Sequence, residues 1–227
     1  MAVHNYYPLN SLQAGTGFQA LQQNGTAPAD AVHAAGWIMS NTAAGNSAEL
    51  DANAERAANQ MSSDTTTPKP LVPDNTLGNG FVIPTALTGT FAAGNWTLQL
   101  VSRSVTAVWT NGVIAYKWRV FKSSSQTGTS PSEITSGAQQ SGNSPAFATV
   151  NTNYTTTLTW AAPSFDMFNE FLIFTLACRI QTAASGTGTT RDVNLRVNPS
   201  SIITTTDLGA LIEPVVVRPA KQYVIWI

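Results

Sequence analysis

The chain has little charge, and this scarcity excludes several kinds of protein. Only 10% of its 227 residues are charged, with 11 basic and 12 acidic side chains and a formal net charge of −1, whereas soluble domains usually carry about 25%. Because the charges are spread along the sequence, no basic stripe can neutralise phosphates, and we expect no nucleic-acid partner. Thr, Ser, Asn, Gln, Gly and Ala must form the surface, which is typical of proteins packed against other copies or exposed to harsh surroundings.

Long apolar runs and a leader sequence are also missing. No apolar run approaches the ~18 residues of a membrane-spanning helix, so we expect no membrane partner. The first residues, Met1–Tyr7, lack the charged and apolar regions of a signal peptide. We therefore expect synthesis in the cytoplasm without export by the general route.

Cysteine and histidine, the residues of many catalytic and metal sites, are nearly absent. The chain has one Cys and two His. Cys178 lies in the apolar run 171–178, so we interpret it as a small buried core residue. A catalytic thiol would need a neighbouring base, and His4 and His33 both lie near the N-terminus.

The acidic residues form no recognisable metal site. Glu49, Asp51 and Glu55 offer oxygen ligands beside a predicted turn, but their spacing matches no calcium-binding loop, so a solvated surface is the better interpretation. No His or Cys spacing fits zinc, no glycine-rich loop precedes a lysine, and no serine lies in a nucleophile elbow. We expect no catalytic, metal-binding or cofactor-binding residues and no enzymatic activity.

What the sequence does contain is an alternation of apolar and polar residues, clearest after Gly94-Asn95. Successive side chains of a strand point to opposite faces, so Trp96, Leu98 and Leu100 share one face. Similar stretches follow, separated by turn residues; the predicted strands are 36–40, 86–92, 95–109, 113–122, 133–135, 154–160, 171–180 and 191–197. Short strands at this spacing predict an all-β chain, an antiparallel β-sandwich of the jelly-roll kind.

Three local features refine this prediction. Asn111-Gly112 favours a two-residue hairpin turn that joins the strands on either side. The nearly continuous apolar run 171–180 predicts a central strand covered on both faces. Residues 47–61 favour a helix by propensity, but their apolar positions are mostly Ala and give no wide stripe to bury. We favour two short strands there.

The pattern divides the chain into three parts. Residues 1–34 are interrupted by glycine-containing segments and predict an extended N-terminal arm that becomes ordered against a partner. Residues 35–207 form the β-sandwich domain, and 208–227 form an apolar C-terminal tail, which docks on the subunit or adds a strand to a neighbour. The candidate assembly contacts are Tyr6, Tyr7, Leu9, Leu12 and Phe18 in the arm and Tyr223, Ile225 and Trp226 in the tail.

Tryptophan could in principle bind sugars by stacking. Trp96, Trp118 and Trp160 lie on alternation faces rich in Leu, Val and Tyr, so core packing explains them better. Trp109, beside the predicted turn, is the candidate exposed aromatic residue.

A series of short segments occurs in a characteristic order between residues 36 and 207. They are Gly36-Trp37, Gly45-Asn46, Pro73–Thr76, Leu87–Phe91 with Gly94 and Trp96, Trp118–Lys122, Glu133–Thr135, Thr157–Trp160, Asn169–Leu172 and Leu176-Ala177. In order and spacing they resemble a family of jelly-roll structural proteins encoded by tailed bacteriophages. The resemblance implies a virion component built on a β-sandwich and brings no catalytic residues.

We therefore expect a capsid decoration or head-surface protein that is made in the host cytoplasm, resides in the virion and stabilises the capsid lattice. Its expected partners are other copies of itself, with a trimer as the arrangement that suits capsid decoration, and major capsid or tail proteins. One alternative is a minor tail or fibre-associated protein. A second is a carbohydrate-binding module that aids host adsorption, with Trp109 as its sugar contact.

Overall fold

The structure, a computed structural model, describes residues 3–23, 35–40, 47–49, 59–60, 72–75, 80–104, 113–137, 139–182, 192–196 and 201–211. All regular structure in these ranges is β-strand, which confirms an all-β chain for this part. The strands are β1 (Val3–Leu12), β2 (Gln19–Gln23), β3 (Ala35–Ser40), β4 (Ser47–Glu49), β5 (Asn59–Gln60), β6 (Gly80–Val82), β7 (Leu87–Phe91), β8 (Gly94–Ser104), β9 (Val113–Ser123), β10 (Ser132–Glu133), β11 (Gln139–Asn143), β12 (Tyr154–Ala162), β13 (Phe165–Thr182), β14 (Asp192–Arg196), β15 (Ile202–Thr206) and β16 (Leu208–Gly209). Within the described ranges no helix is long and apolar enough to cross a membrane.

The strands form one curled, mixed sheet. Its main path runs β10-β9-β13-β6-β2-β1-β15-β8-β14-β3-β5, with β11 paired to β9, β12 to β8, and β4 and β7 to β13. Most pairs are antiparallel, but β2 with β6 and β3 with β5 are parallel. The curl brings β11 beside β12, although the two strands are hydrogen-bonded to different neighbours.

The alternation after Gly94 determines which face of β8 is buried. Trp96, Leu98 and Leu100 are almost fully buried, as the sequence predicted. Strand β12 pairs with β8 over nine consecutive residues, and it alternates between buried and exposed in the same way. The Trp96 indole N–H donates to Thr206 Oγ1 at 3.0 Å, so its polar edge is satisfied inside the core.

Strand β13 has the central position predicted for it. It pairs with β9 along most of its length and also with β4, β6 and β7. Residues 172–176 are all buried, which confirms a strand covered on both faces. Phe174 belongs to the main core, whereas Ile173, on the opposite face, packs in a second cluster with Phe18, Val82 and Phe121.

Aromatic rings join the two sides of the curled sheet. Trp118 of β9 stacks on Phe174 of β13, with ring centroids 6.1 Å apart and an interplanar angle of 8°. Trp160 of β12 meets Trp118 edge-on at 6.1 Å, and Trp96 of β8 lies 6.2 Å from Phe174. The β8–β12 side therefore packs directly on the β9–β13 side.

The predicted hairpin between β8 and β9 is wrong for the described parts of these strands. β8 has β12 on one edge and β14 and β15 on the other. β9 likewise lies between β13 and the pair β10 and β11. Residues 97–102 of β8 and 115–122 of β9 lie between neighbouring strands on both edges, so β8 and β9 cannot pair over these residues. The turn at Asn111-Gly112 itself lies outside the described residues.

The ambiguous segment 47–61 contains strand at both ends. β4 pairs with β13, and β5 pairs with β3, which confirms two short strands in the described part. Residues 50–58 lie outside it.

The described part of the predicted arm, residues 3–23, belongs to the sheet. β1 pairs with β2 and β15, and β2 pairs with β6, so this hairpin joins the β13 side of the sheet to the β8 side. Gly15 has a φ of 76°, and the turn is closed by Gln13 N–H donating to Phe18 O at 2.9 Å. Gly15 and Gly17, two of the glycines that suggested an interrupted arm, lie in this hairpin turn. Residues 24–34 of the arm and 212–227 of the tail lie outside the described ranges.

Candidate interaction surface

The first part of β13 carries a strongly exposed aromatic side chain. Of the large apolar side chains that the structure describes as exposed, Leu12 is 45% exposed, Val72 43% and Phe168 61%. A phenylalanine this exposed is unusual in a folded domain, and exposed aromatic residues are frequent anchors of protein contacts. We define the Phe168 surface as Phe168 with its neighbours Thr88, Lys122, Asn169 and Glu170.

A β-bulge positions Phe168. β13 pairs with β7 in continuous register up to Phe168 opposite Thr88, and the next pair is Glu170 opposite Leu87. The extra residue, Asn169, has a φ of 57°, in the left-handed region that Asn tolerates better than most residues. Such bulges reorient side chains at functional edges of sheets.

Hydrogen bonds hold the bulge. The Asn169 N–H donates to Thr88 Oγ1 at 3.1 Å, and the Phe168 N–H donates to Glu170 Oε2 at 3.0 Å. Lys122 Nζ donates to the same Glu170 oxygen at 3.0 Å and to the Asp166 carbonyl at 2.9 Å. The backbone on both sides of the exposed ring is therefore fixed.

Charge near the ring is largely compensated. Lys122 Nζ forms an ion pair with Glu170 and lies 5.8 Å from the centroid of the Phe168 ring, within the range of a cation–π contact. Asp166 Oδ1 accepts a hydrogen bond of 2.6 Å from Thr90 Oγ1. The Phe168 surface thus presents one exposed aromatic ring, on a hydrogen-bonded backbone, among paired polar groups.

A second polar network, centred on Glu133, has a structural role. The Arg119 guanidinium binds both carboxylate oxygens of Glu133, and Thr135 Oγ1 and Gly137 N–H donate to Oε1 at 2.8 and 2.9 Å. Hydrogen bonding from Arg119, with those from Thr135 and Gly137, lowers the pKa of Glu133 to about 2, although partial burial acts in the opposite direction. Glu133 therefore stabilises the fold above its ordinary pKa, and this contribution is lost as the pH falls towards 2.

A histidine–carboxylate pair also lacks the geometry of a catalytic site. His4 Nε2 lies 2.6 Å from Asp207 Oδ1, and Gln23 Nε2 lies 2.6 Å from His4 Nδ1. Both ring nitrogens are therefore occupied by an amide and a carboxylate, and neither faces a nucleophile. In the described ranges, no group of three or more His, Cys, Asp or Glu could hold a metal ion.

The predicted arm contacts lie mostly inside the subunit. Tyr6 is 1% exposed, Tyr7 4% and Phe18 0%, and burial raises the pKa of Tyr6 to about 12. These three side chains are buried within their own chain, with Tyr6 in the main core and Phe18 in the second cluster, so they are not surface anchors in this structure. Leu9 is half-buried, and Leu12 remains exposed.

The other predicted contacts, Trp109, Tyr223, Ile225 and Trp226, lie outside the described residues. Cys178 lies in β13 opposite Tyr116. Sequence reasoning missed Phe168, although a signal was present: the adjacent apolar residues Met167 and Phe168 are followed by two polar residues, which breaks the alternation as a bulge does.

Comparison with protein-family models and with curated proteins found no match. Inference about function therefore depends on the sequence and on the geometry described above.

Proposed function

We propose that this chain is a structural protein of a tailed bacteriophage particle, and specifically a capsid decoration or head-surface protein that stabilises the lattice. The sequence resemblance supports this proposal, and two of its segments lie in strands of the sheet: Leu87–Phe91 is β7, and Trp118–Lys122 lies in β9. A large aromatic core and a surface with few charges suit a rigid module that contacts other proteins.

The proposal includes a β-sandwich of the jelly-roll kind. Its support is the packing of the β8–β12 side on the β9–β13 side through Trp96, Trp118, Trp160 and Phe174. Two layers of antiparallel strands that bury every second side chain between them are the arrangement expected of a β-sandwich.

The observation that carries the proposed function is the Phe168 surface. Hydrogen bonds hold the backbone that carries the ring, so binding does not have to order this backbone and more of the contact energy is available for affinity. Its compensated charges suit an apolar pocket on a neighbouring protein. In the proposed virion that neighbour is the major capsid protein or another copy of this chain, and a trimer fits capsid symmetry.

The test is to locate and count the chain in purified particles of the phage that produces it. The decoration function predicts many copies per head, whereas the minor tail or fibre function predicts a few copies at the tail. Absence of the chain from particles would refute both. If the chain is absent and binds a glycan array, a carbohydrate-binding module is the better conclusion.

A pair of variants connects the particle test to the Phe168 surface. Phe168→Ser removes the ring, and Phe168→Tyr keeps it. We expect Phe168→Ser to reduce incorporation into particles at least tenfold, the loss expected when a binding anchor is removed, and Phe168→Tyr to incorporate normally. Because the side chain is exposed, both proteins should be as stable as the wild type in thermal unfolding. Normal incorporation of Phe168→Ser would exclude this surface as the contact.

A further inference from the structure

The two edges of β13 are covered over different lengths. Ile173 pairs with Val82 of β6 on one edge and with Phe121 of β9 on the other. The β6 edge continues with β7, which pairs with residues 165–170, whereas the β9 ladder begins only at Phe171. Among the described residues, no strand therefore pairs with the β9 edge of residues 165–170.

Hydrogen bonds show which backbone groups face this uncovered edge. The Asp166 carbonyl accepts from Lys122 Nζ at 2.9 Å, and Lys122 belongs to β9. Backbone groups of residues two apart in a strand point to the same edge, so the Phe168 N–H faces this edge as well. It donates to Glu170 Oε2 at 3.0 Å, and the same oxygen accepts from Lys122 Nζ at 3.0 Å. One ion pair therefore occupies both backbone groups.

This ion pair, the Lys122–Glu170 cap, takes the place of a neighbouring strand. One residue of a parallel strand would accept from the Phe168 N–H and donate to the Asp166 carbonyl. Here the Glu170 carboxylate accepts and the Lys122 ammonium donates instead. The Lys122 side chain is 22% exposed and that of Glu170 20%, so the cap is packed against the sheet. Both backbone groups are satisfied without a partner.

Without the cap, this edge would favour pairing with another chain. Uncovered strand edges are templates for strand addition, and charged side chains, lysine above all, commonly protect them. Three of residues 165–168 are the apolar Phe165, Met167 and Phe168. An incoming strand would have to displace the cap and leave its two charges with less water, which is costly for charges that lose their partners.

We propose that the Lys122–Glu170 cap prevents the β13 edge at Asp166–Phe168 from pairing with the same edge of a second copy of this chain. A strand edge can pair antiparallel with its own copy about a two-fold axis, so a second copy is the partner that the uncapped edge would take. The cap leaves the Phe168 ring, but not its backbone, available for contact. The proposal concerns the chain alone and does not rest on the proposed function.

The test compares two double variants that leave the net charge unchanged. The uncapped variant is Lys122→Ala with Glu170→Ala. At a concentration of about 200 µM its mass by light scattering should be at least about twice that of the wild type, and dilution should reverse the increase. The control, Lys117→Ala with Asp207→Ala, also removes one cation and one anion, but Lys117 lies between β11 and β13. It should keep the wild-type mass. A wild-type mass for the uncapped variant, or equal association of the control, would overturn the proposal.

Two further measurements isolate the role of the backbone. Phe168→Ser, added to the uncapped variant, removes the exposed ring and should leave the association unchanged; loss of association would assign it to the ring and overturn the proposal. In the wild type, the Phe168 amide should exchange its hydrogen at least about tenfold more slowly than an unprotected amide, because Glu170 accepts from it. Exchange at the unprotected rate would show that no cap is formed, whether or not the variants fold.

Discussion

Replacement of Phe18 by alanine should greatly lower the free energy of unfolding of this protein, although the sequence analysis assigns Phe18 to an N-terminal arm. Phe18 is 0% exposed and packs with Val82, Phe121 and Ile173 on the face of β13 opposite the main core. The loop that carries Gly128 closes over the ring, since a Cβ at Gly128 would lie 3.6 Å from Phe18 Cε2. The ring is therefore enclosed by the strand on one side and a loop on the other.

The magnitude follows from this burial. Phe→Ala substitutions in cores cost about 3–5 kcal/mol, because the lost apolar burial is combined with the cavity that remains. Surrounding elements here are β-strands and a hydrogen-bonded loop, which cannot collapse easily, so we expect the upper part of that range. Domains are stable by about 5–15 kcal/mol, and this one substitution should remove about a quarter or more of that free energy of unfolding.

The assay is equilibrium unfolding in urea, followed by tryptophan fluorescence. Phe18→Ala should move the midpoint by about 1–2 M towards lower urea. Leu12→Ala is a matched control, because Leu12 lies in the same hairpin but is 45% exposed, and its midpoint should change little. If the free energy of unfolding of Phe18→Ala falls by less than about 1 kcal/mol, residues 3–23 are an arm and not part of the sheet.

Three further substitutions test local features by thermal or urea unfolding. Gly80→Ala should lower the free energy of unfolding by about 2 kcal/mol or more, because its Cβ would lie 2.2 Å from the Phe174 carbonyl oxygen. The control variant Gly209→Ala should be tolerated, since the nearest atom to its Cβ would be 3.7 Å away. Equal stability of the two variants would contradict the close approach of the backbone at Gly80. Asn169→Val should cost about 1–2 kcal/mol at a φ of 57° and Asn169→Gly almost nothing; a neutral Val would exclude the bulge conformation. Glu133→Gln should lower the free energy of unfolding by only about 1–2 kcal/mol at pH 7, because solvent screens a partly exposed ion pair. The loss should be much smaller near pH 2, since the pKa of Glu133 is lowered to about 2 and the wild-type carboxylate becomes protonated there. A loss that does not change with pH would refute the ionic origin of this contribution.

Local alternation could be predicted from the sequence because it depends only on neighbouring residues. The buried positions Trp96, Leu98 and Leu100 follow from a period of two. The central position of 171–180 follows from its nearly continuous apolar run, since a strand covered on both faces does not alternate. Strand pairing could not be predicted in the same way. β8 pairs with strands that lie far from it in sequence, and these long-range ladders occupy the edges that a β8–β9 hairpin would use in the described residues.

The candidate site was less predictable than the fold, for a related reason. The turn at Gly15 has the same composition as an interruption in a flexible arm. The sequence therefore predicts an arm with assembly contacts at Tyr6, Tyr7 and Phe18, which the structure buries. The exposure of Phe168 depends on one extra residue in β13 and on side chains of β7 and β9 that hold it. Because this arrangement depends on three strands together, the sequence of any one of them predicts it only weakly.

The position of β1 and β2 inside the sheet makes release of residues 3–23 as a docking arm unfavourable. These strands lie between β6 and β15 in the sheet, so release of the hairpin for docking on a partner would separate the two sides of the fold and expose Tyr6 and Phe18. An arm that becomes ordered on binding loses part of its contact energy to ordering. A preformed surface such as that of Phe168 does not have this cost, because its backbone is already fixed. Binding through the described residues should therefore occur between rigid surfaces, with little change in secondary structure when the chain joins its partner.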